Sequence, residues 1–157
     1  MISETHNQEL IANKTARLNL EIQFAIEDSD LPSQKSMQQW AFSAISQDTV
    51  ITIRIIDEPE GRTLNKQFCG KEYATNVLSF PYEMDSGLEG DIAICLPIVK
   101  KEAIQQNKTL HAHLAHLIIH GVLHIQGFTH DSCSNAKIME RKEKILLNRL
   151  GFENPYK

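Results

Sequence analysis

A strongly apolar segment over residues 110–126 constrains the fold of this chain more than any other feature. Its composition predicts a helix, and Gly127 is suited to end that helix in a left-handed conformation. The segment is shorter than the ~20 apolar residues that span a bilayer, and no other run in the chain approaches that length. The sequence therefore excludes a membrane-embedded chain and indicates a globular protein with a buried core.

Length, charge and cysteine content narrow the class further. The chain has 157 residues, which fits one domain of a common size. Its net charge of −4 argues against a protein that holds nucleic acid by a global basic field, so any RNA contact needs a local patch. The three cysteines form no C-x-x-C pair, and the first residues lack the pattern of a secretory signal. We therefore expect free thiols and a cytoplasmic location.

Hydrophobic periodicity predicts a chain that mixes strands and helices without strict alternation. Residues 1–17 are polar and are expected to be an N-terminal extension to one domain over residues 18–157. Strands are predicted at 20–26, 50–56, 76–80 and 91–96, and helices at 33–46, 58–68, 97–106, 110–126 and from Ser132 or Ser134 to about 150. This pattern favours an α+β fold with one small mixed sheet of about four strands.

Some of these elements carry more specific expectations. The β-branched strand at 50–56 is expected to be covered on both faces. Pro81 is expected to end the third strand, and the acidic, glycine-containing stretch 82–90 is expected to be a loop. Asp57 is placed to cap the second helix. The last helix is expected to bury one stripe of apolar side chains: Ile138, Met139, Ile145, Leu146 and Leu150.

The strongest chemical signal is a cluster of histidines, of which six of the seven lie between residues 111 and 130. His120 and His124 are four residues apart, so on a helix they lie one turn apart on the same face and are spaced to share one metal ion. Gly127 allows the chain to turn back, which brings His130 within reach as a third ligand. Three protein ligands leave a fourth position open, as in catalytic zinc sites.

Other interpretations of the same residues stay open. His116 and His120 have the same spacing and are a rival ligand pair. Cys133 has the position to complete a structural site of three histidines and one thiolate. The histidines are also compatible with packing roles and no metal, and His111 and His113 are expected to be helix-start or surface residues.

The spacing of His120, His124, Gly127 and His130 matches the long zinc-protease motif at its ligands and its glycine. The general base of those proteases is a glutamate after the first histidine, and Gly121 stands there instead. This difference argues against proteolysis. It suits chemistry in which the metal alone activates water, or in which the substrate carries its own nucleophile, as RNA does in its 2′-hydroxyl.

Several segments together resemble the YbeY family of bacterial rRNA maturation factors. The first is His116–His130, which contains the histidine motif, and the second is Thr75–Pro81, which reads Thr-Asn-Val-Leu-Ser-Phe-Pro. Gly90–Ile92 is similar to a strand start of that family, and Leu150–Tyr156 is similar to its C-terminal motif. The order and spacing agree over roughly residues 20–156.

The resemblance implies a single-strand-specific, metal-dependent endoribonuclease that acts in 16S rRNA 3′-end maturation and in ribosome quality control. It implies one Zn²⁺ on His120, His124 and His130, although another divalent ion has the same spacing requirements. It also implies an α+β fold with a metal-binding helix like that of zinc proteases. The expected partners are single-stranded RNA and the ribosome or small-subunit proteins, with no membrane contact.

The chain departs from the family pattern at two positions. Thr129 replaces an Asp before the third histidine, and Asp131 is a shifted carboxylate that would orient a ligand from the other side. Cys69 replaces an Arg that is suited to bind phosphate, and we expect Lys71 or Arg62 to take over that role. Lys71 and Arg62 are therefore candidate catalytic residues beside the three histidines.

Two further features bear on the substrate. Residues 75–79 offer small polar groups that would position an RNA backbone, or they simply lead into a strand. The basic residues of the last helix, with Glu140 and Glu143 among them, are expected to form mostly a solvated face, with an RNA-facing surface as the alternative.

A second class of function also fits these departures. A non-catalytic ribosome assembly factor with a structural zinc site would need neither a general base nor the missing Arg. A metalloprotease is disfavoured by Gly121.

Overall fold

The structure is a computed structural model, and it describes residues 15–82 and 87–156. In chain order its strands and helices are β1 (Leu18–Phe24), α1 (Gln34–Ser43), β2 (Thr49–Ile56), α2 (Glu58–Cys69), β3 (Val77–Tyr82), β4 (Leu88–Cys95), α3 (Leu96–Gln105), α4 (Leu110–Ile125) and α5 (Cys133–Arg149). These elements form one α+β unit, which confirms the predicted fold class. The predicted N-terminal extension lies mostly outside the described residues, so the boundary at residue 18 stays a prediction.

The four strands form one mixed sheet in the order β1-β2-β4-β3. β1 pairs with β2 and β2 pairs with β4 in parallel, whereas β3 pairs antiparallel with β4 along the far edge. Because β3 is an edge strand, it tolerates Pro81, which lacks a backbone N–H. The prediction that Pro81 ends this strand is therefore wrong, since β3 continues to Tyr82.

Helix α4 lies at the centre of the core. Ten of its sixteen residues are buried, because α1, α3, α5 and the sheet all pack against it. At Gly121 the helix approaches the sheet so closely that a Cβ atom would lie 3.0 Å from Ile92 Cδ1 and 3.2 Å from Ser79 Oγ. The helix carrying the histidine motif is thus held tightly against β3 and β4.

The two faces of the sheet differ. On β2, Ile51, Ile53 and Ile55 are buried against α1 and α4, but Val50 is 44% exposed on the opposite face. Arg54 also lies on that opposite face, where it forms an ion pair with Glu60 of α2. The prediction that β2 is covered on both faces is therefore wrong, since no helix covers all of this second face within the described residues.

Two other local predictions need correction. Strand β4 begins at Leu88, so the end of the predicted loop at 82–90 is extended, while residues 83–86 lie outside the described residues. On α5, Ile138 and Ile145 are 57% and 42% exposed. The buried stripe of α5 is rotated from the predicted one and consists of Met139, Glu143, Leu146 and Leu147.

Candidate metal centre

The turn after α4 brings the three predicted ligands together. Gly127 follows the helix with φ 102°, a left-handed conformation that suits glycine. The N–H of Phe128 donates to the carbonyl of Leu123, which folds the chain back over the end of the helix. As a result, ligand nitrogens of His120, His124 and His130 all lie within 4.8 Å of one another.

The hydrogen bonds of the first two histidines set which nitrogen faces the cluster. Nδ1 of His124 lies 3.0 Å from the carbonyl oxygen of Phe128, and Nδ1 of His120 lies 2.7 Å from Oε1 of Glu143. A carbonyl and an ionised carboxylate only accept, so each Nδ1 carries a hydrogen. When both rings are neutral, as metal binding requires, each Nε2 then has a lone pair. These two Nε2 atoms face each other at 3.0 Å. Two lone pairs in this arrangement repel unless a cation lies between them, so the donor set fits a metal ion.

The surroundings of His124 favour the neutral form that a metal needs. Burial, followed by the nearby imidazoles of His120 and His130, lowers the pKa of His124 from 6.5 to about 4. At neutral pH, His124 is therefore unprotonated and available as a ligand.

The residue that sequence analysis missed is Glu143, which was expected on a solvated face. Its side chain is fully buried between α5 and α4, and its carboxylate accepts hydrogen bonds from His116, His120 and the hydroxyl of Tyr156. Burial alone would raise the pKa of Glu143, but these three donors outweigh it and hold the pKa at about 2. The carboxylate is therefore ionised at neutral pH and fixes the ring of His120.

His116 belongs to a second cluster. Its Nε2 lies 2.8 Å from Oε2 of Glu143, and the ligand atoms of His116, His120 and Glu143 also lie within 4.8 Å of one another. In this cluster one nitrogen of each imidazole meets an oxygen of Glu143, so the carboxylate has its partners without an ion, whereas the buried Nδ1 of His116 has no hydrogen-bond partner among the described residues. His116 is thus placed beside the candidate metal centre and bonded to the carboxylate that supports it.

Comparisons with known proteins identify the family. A sequence model of the family described as Endoribonuclease YbeY matches residues 12–151. This chain belongs to the YbeY family. A protein named endoribonuclease YbeY from Methylobacillus flagellatus is 46% identical over 140 residues, which cover 89% of this chain and 94% of that protein. A protein of the same name from Cupriavidus metallidurans is 52% identical over 129 residues, which cover 81% of this chain and 66% of the relative.

A solved structure agrees with this assignment at the level of the fold. The solution structure of a Thermotoga maritima protein aligns with a TM-score of 0.56 at 23% identity, over 86% of this chain and 92% of that chain. The family match confirms the YbeY resemblance drawn from the sequence motifs, and the solved structure shows that the chain shares its fold.

The structure also places the remaining candidates from the YbeY pattern. Lys71 and Arg62 are exposed and make no side-chain hydrogen bond or ion pair within the described residues, but neither lines the cleft beside His120 and His130. Asp131 bonds Thr129 and Asn135 instead of a histidine. The carboxylate that bonds Nδ1 of His120 belongs to α5, and not to the turn where the chain departs from the family pattern.

The structure also places Cys133, His111 and His113. Cys133 is exposed at the start of α5 and is not part of either histidine cluster among the described residues. His111 is exposed as expected, whereas His113 is buried and lies 3.0 Å from Glu102. The expectation of a surface position for His113 is therefore wrong. Glu102 in turn accepts from the amide of Asn76, which leads into β3.

Within the described ranges, every helix is too short or too polar to cross a bilayer.

Proposed function

We propose that this chain is a zinc-dependent endoribonuclease that cleaves single-stranded RNA during maturation of the 16S rRNA 3′ end and in ribosome quality control. Its activity as an endoribonuclease, with RNA as the substrate class, follows from its membership in the YbeY family. The finer features rest on the site. The observation that carries them is the pair of Nε2 atoms of His120 and His124 that face each other at 3.0 Å, with His130 beside them.

His120, His124 and His130 are the residues that would hold the ion. A zinc ion bound by three imidazoles supplies Lewis acidity toward a phosphate oxygen and lowers the pKa of water at its open position. A divalent ion other than zinc would supply similar chemistry, and the proposal of zinc rests on the all-imidazole donor set.

Proton transfer in this site cannot follow the zinc-protease pattern. A glutamate at position 121 has no room, because even a Cβ atom there would lie 3.0 Å from Ile92. Glu143 does not replace it, since a carboxylate with a pKa of about 2 is a weak base and its oxygens already accept three hydrogen bonds. This supports a reaction in which RNA contributes its own 2′-hydroxyl.

The phosphate backbone needs a local cationic surface, because the chain carries a net charge of −4. Lys71 and Arg62 are exposed and unpaired among the described residues, so both are available to a phosphate group. We assign them to contacts with the RNA backbone outside the cleft beside His120 and His130. Their contribution is measurable as salt dependence, because each lysine–phosphate contact on a single strand adds roughly 0.7 to the slope of log K against log salt.

The Lys71→Ala variant should therefore bind RNA more weakly and lower that slope by about 0.7. Lys35→Ala is the matched control, since Lys35 is an exposed lysine on α1. An equal slope in Lys71→Ala and in the unmodified chain would remove Lys71 from the RNA surface. A slope near zero in both would favour delivery of the substrate by the ribosome or by small-subunit proteins. The basic residues of α5 are a second surface for the same assay.

The proposal places the activity in residues 18–157 as one domain, in the cytoplasm where the ribosome is assembled. The test is cleavage of an end-labelled single-stranded RNA by the purified chain, with and without a chelator. His124→Ala should abolish cleavage, and His111→Ala, which changes an exposed histidine outside the cluster, should retain it. Full cleavage by a folded, metal-free His124→Ala chain would contradict the proposal.

A further inference from the structure

A single buried carboxylate connects the candidate metal centre to the C-terminal end of the chain. The side chain of Glu143 has no exposed surface, and each of its oxygens has a defined partner. Oε1 accepts from His120 Nδ1 at 2.7 Å, whereas Oε2 accepts from His116 Nε2 at 2.8 Å and from the hydroxyl of Tyr156. Burying an ionised carboxylate is costly unless hydrogen bonds compensate it, so this network holds the side chain in one position.

We propose that Glu143 and Tyr156 are positioning residues of the metal centre, which fix His120 so that its Nε2 faces the ion. The inference rests on the proposed metal site. It adds the C-terminal segment, which lies outside the histidine motif, to the machinery of that site.

His120 is the residue shared by both clusters. An imidazole that donates from Nδ1 to a carboxylate keeps its hydrogen on that nitrogen, so Nε2 is the atom left to bind a metal. The carboxylate also holds the orientation of the ring. His124 receives the same support from the carbonyl of Phe128 at 3.0 Å. Glu143 thus orients His120 in the way that the carbonyl of Phe128 orients His124.

Tyr156 determines where the carboxylate sits. Its hydroxyl lies 3.3 Å from His116 Nε2 as well as beside Glu143, and the two rings pack edge to face with centroids 5.4 Å apart. Burial, followed by the bond to Glu143, raises the pKa of the hydroxyl, so Tyr156 stays a neutral donor. Without this donor, Oε2 would keep only His116 as a partner, and the carboxylate would be held less firmly.

The C-terminal segment is anchored on both sides of this contact. Lys108 Nζ donates to the carbonyl of Pro155 at 2.8 Å, and the ring of Phe152 packs against Trp40 with centroids 5.7 Å apart. Lys144 Nζ lies 5.8 Å from the centre of the Tyr156 ring. These contacts place the tyrosine reproducibly, as a positioning role requires.

The cluster of His116, His120 and Glu143 does not need an ion of its own. Its N···O distances of 2.7 and 2.8 Å are those of charge-assisted hydrogen bonds, and both oxygens of Glu143 accept from an imidazole. In contrast, the Nε2 atoms of His120 and His124 face each other, and two neutral rings would present two acceptors there. The geometry therefore points to one metal centre with a supporting carboxylate, rather than to two metal centres.

The test measures zinc affinity by competition with a chromophoric chelator in the full-length chain. Glu143→Leu, which keeps a similar volume, should weaken zinc binding about 10–100-fold, the usual effect of losing such a partner. Glu143→Gln should recover part of that loss, because its amide oxygen still accepts from His120. Tyr156→Phe should weaken binding several-fold without affecting folding, since the tyrosine is 43% exposed.

Glu102→Gln is the matched control. Glu102 faces the buried His113 at 3.0 Å, much as Glu143 faces His120, but it is in neither cluster. Its replacement should leave zinc affinity unchanged while perturbing a comparable pair. A second measurement, ¹⁵N NMR of the metal-free chain at pH 8, should show His120 with its hydrogen on Nδ1 in the unmodified chain, and a mixture of tautomers in Glu143→Leu.

The outcomes separate the two proposals. An unmodified chain that binds no zinc would remove the metal site and this inference with it. If the unmodified chain binds zinc, equal affinity and an unchanged His120 tautomer in all Glu143 and Tyr156 variants would overturn the inference alone. If the Glu143 variants lose as much unfolding stability as Glu102→Gln but keep the zinc affinity and the His120 tautomer, the role of Glu143 is structural only. That result would overturn the inference as well.

Discussion

The close approach of α4 to the sheet at Gly121 leads to a quantitative prediction for Gly121→Ala. The added Cβ atom would lie 3.0 and 3.1 Å from two carbons of Ile92 and 3.2 Å from Ser79 Oγ. Carbon atoms pack comfortably at about 3.5–4.0 Å, so the methyl group is several tenths of an ångström too close. Overpacking of this kind costs about 1–3 kcal/mol. Alanine recovers about 1 kcal/mol through its better helix propensity.

We therefore expect Gly121→Ala to lower the free energy of unfolding by about 1 kcal/mol. For a chain of this size that is a fall in Tm of roughly 2–4 °C. The assay is denaturant unfolding of the metal-free chain followed by circular dichroism. Stabilisation by about 1 kcal/mol, as at an exposed helical glycine, would refute the argument.

A double-mutant cycle tests the proposed cause. Ile92→Val removes Cδ1, the atom that the new methyl group would meet at 3.0 Å. In the Ile92→Val background, Gly121→Ala should lower the free energy of unfolding by less. The coupling energy should be at least about 0.5 kcal/mol, as expected for residues in contact. Additive effects of the two substitutions would show that crowding against Ile92 does not set the cost.

Three other predictions follow from the structure. Zinc at 100 times its Kd should raise the unfolding free energy of the unmodified chain by about 2.7 kcal/mol and leave that of His124→Ala unchanged. Differential scanning fluorimetry measures both. An equal rise in the two chains would mean that the ion binds elsewhere. Because the pKa of His124 is lowered from 6.5 to about 4, its contribution to the stability of the metal-free chain is present above pH 6.5 and is lost as the pH falls toward 4. In a pH series of urea unfolding curves, His124→Gln should flatten the fall in unfolding free energy between pH 6.5 and 4. An unchanged series would count against the shift. Ser132→Ala removes the acceptor for the Asn135 N–H at the start of α5 and should cost about 1 kcal/mol in the same assay, whereas no change would mean that the cap is dispensable.

The histidine motif shows how much of this site the sequence could predict. His120, His124, Gly127 and His130 lie within eleven consecutive residues, so helix geometry and one glycine turn are enough to expect them together. The capping roles of Asp57 and of Ser132 were predictable for the same reason, because they depend on residues three positions away. The mixed α+β fold followed from strands and helices with clear periodicity.

Glu143 could not be predicted in this way. It lies among lysines, arginines and another glutamate on α5, a composition typical of a solvated face. Its burial depends on histidines of α4 that are 23 and 27 residues away in sequence. One local signal did exist: Glu143 is four residues after Met139 and three before Leu146, which places it on the buried stripe.

The errors in the sheet have a similar origin. The open face of β2 depends on which helices cover the sheet, and the β-branched composition of the strand carries no information about that. The continuation of β3 through Pro81 depends on its position at the edge, which is a property of strand order.

The central claim is that one metal ion, held by His120, His124 and His130, is required for RNA cleavage. The most direct measurement is a titration of zinc into the metal-free chain in which bound metal and the rate of cleavage of a single-stranded RNA are followed together. The account predicts that both saturate at one ion per chain, and that His124→Ala shows neither. Cleavage at full rate before any metal is added, or saturation of binding without cleavage, would contradict it.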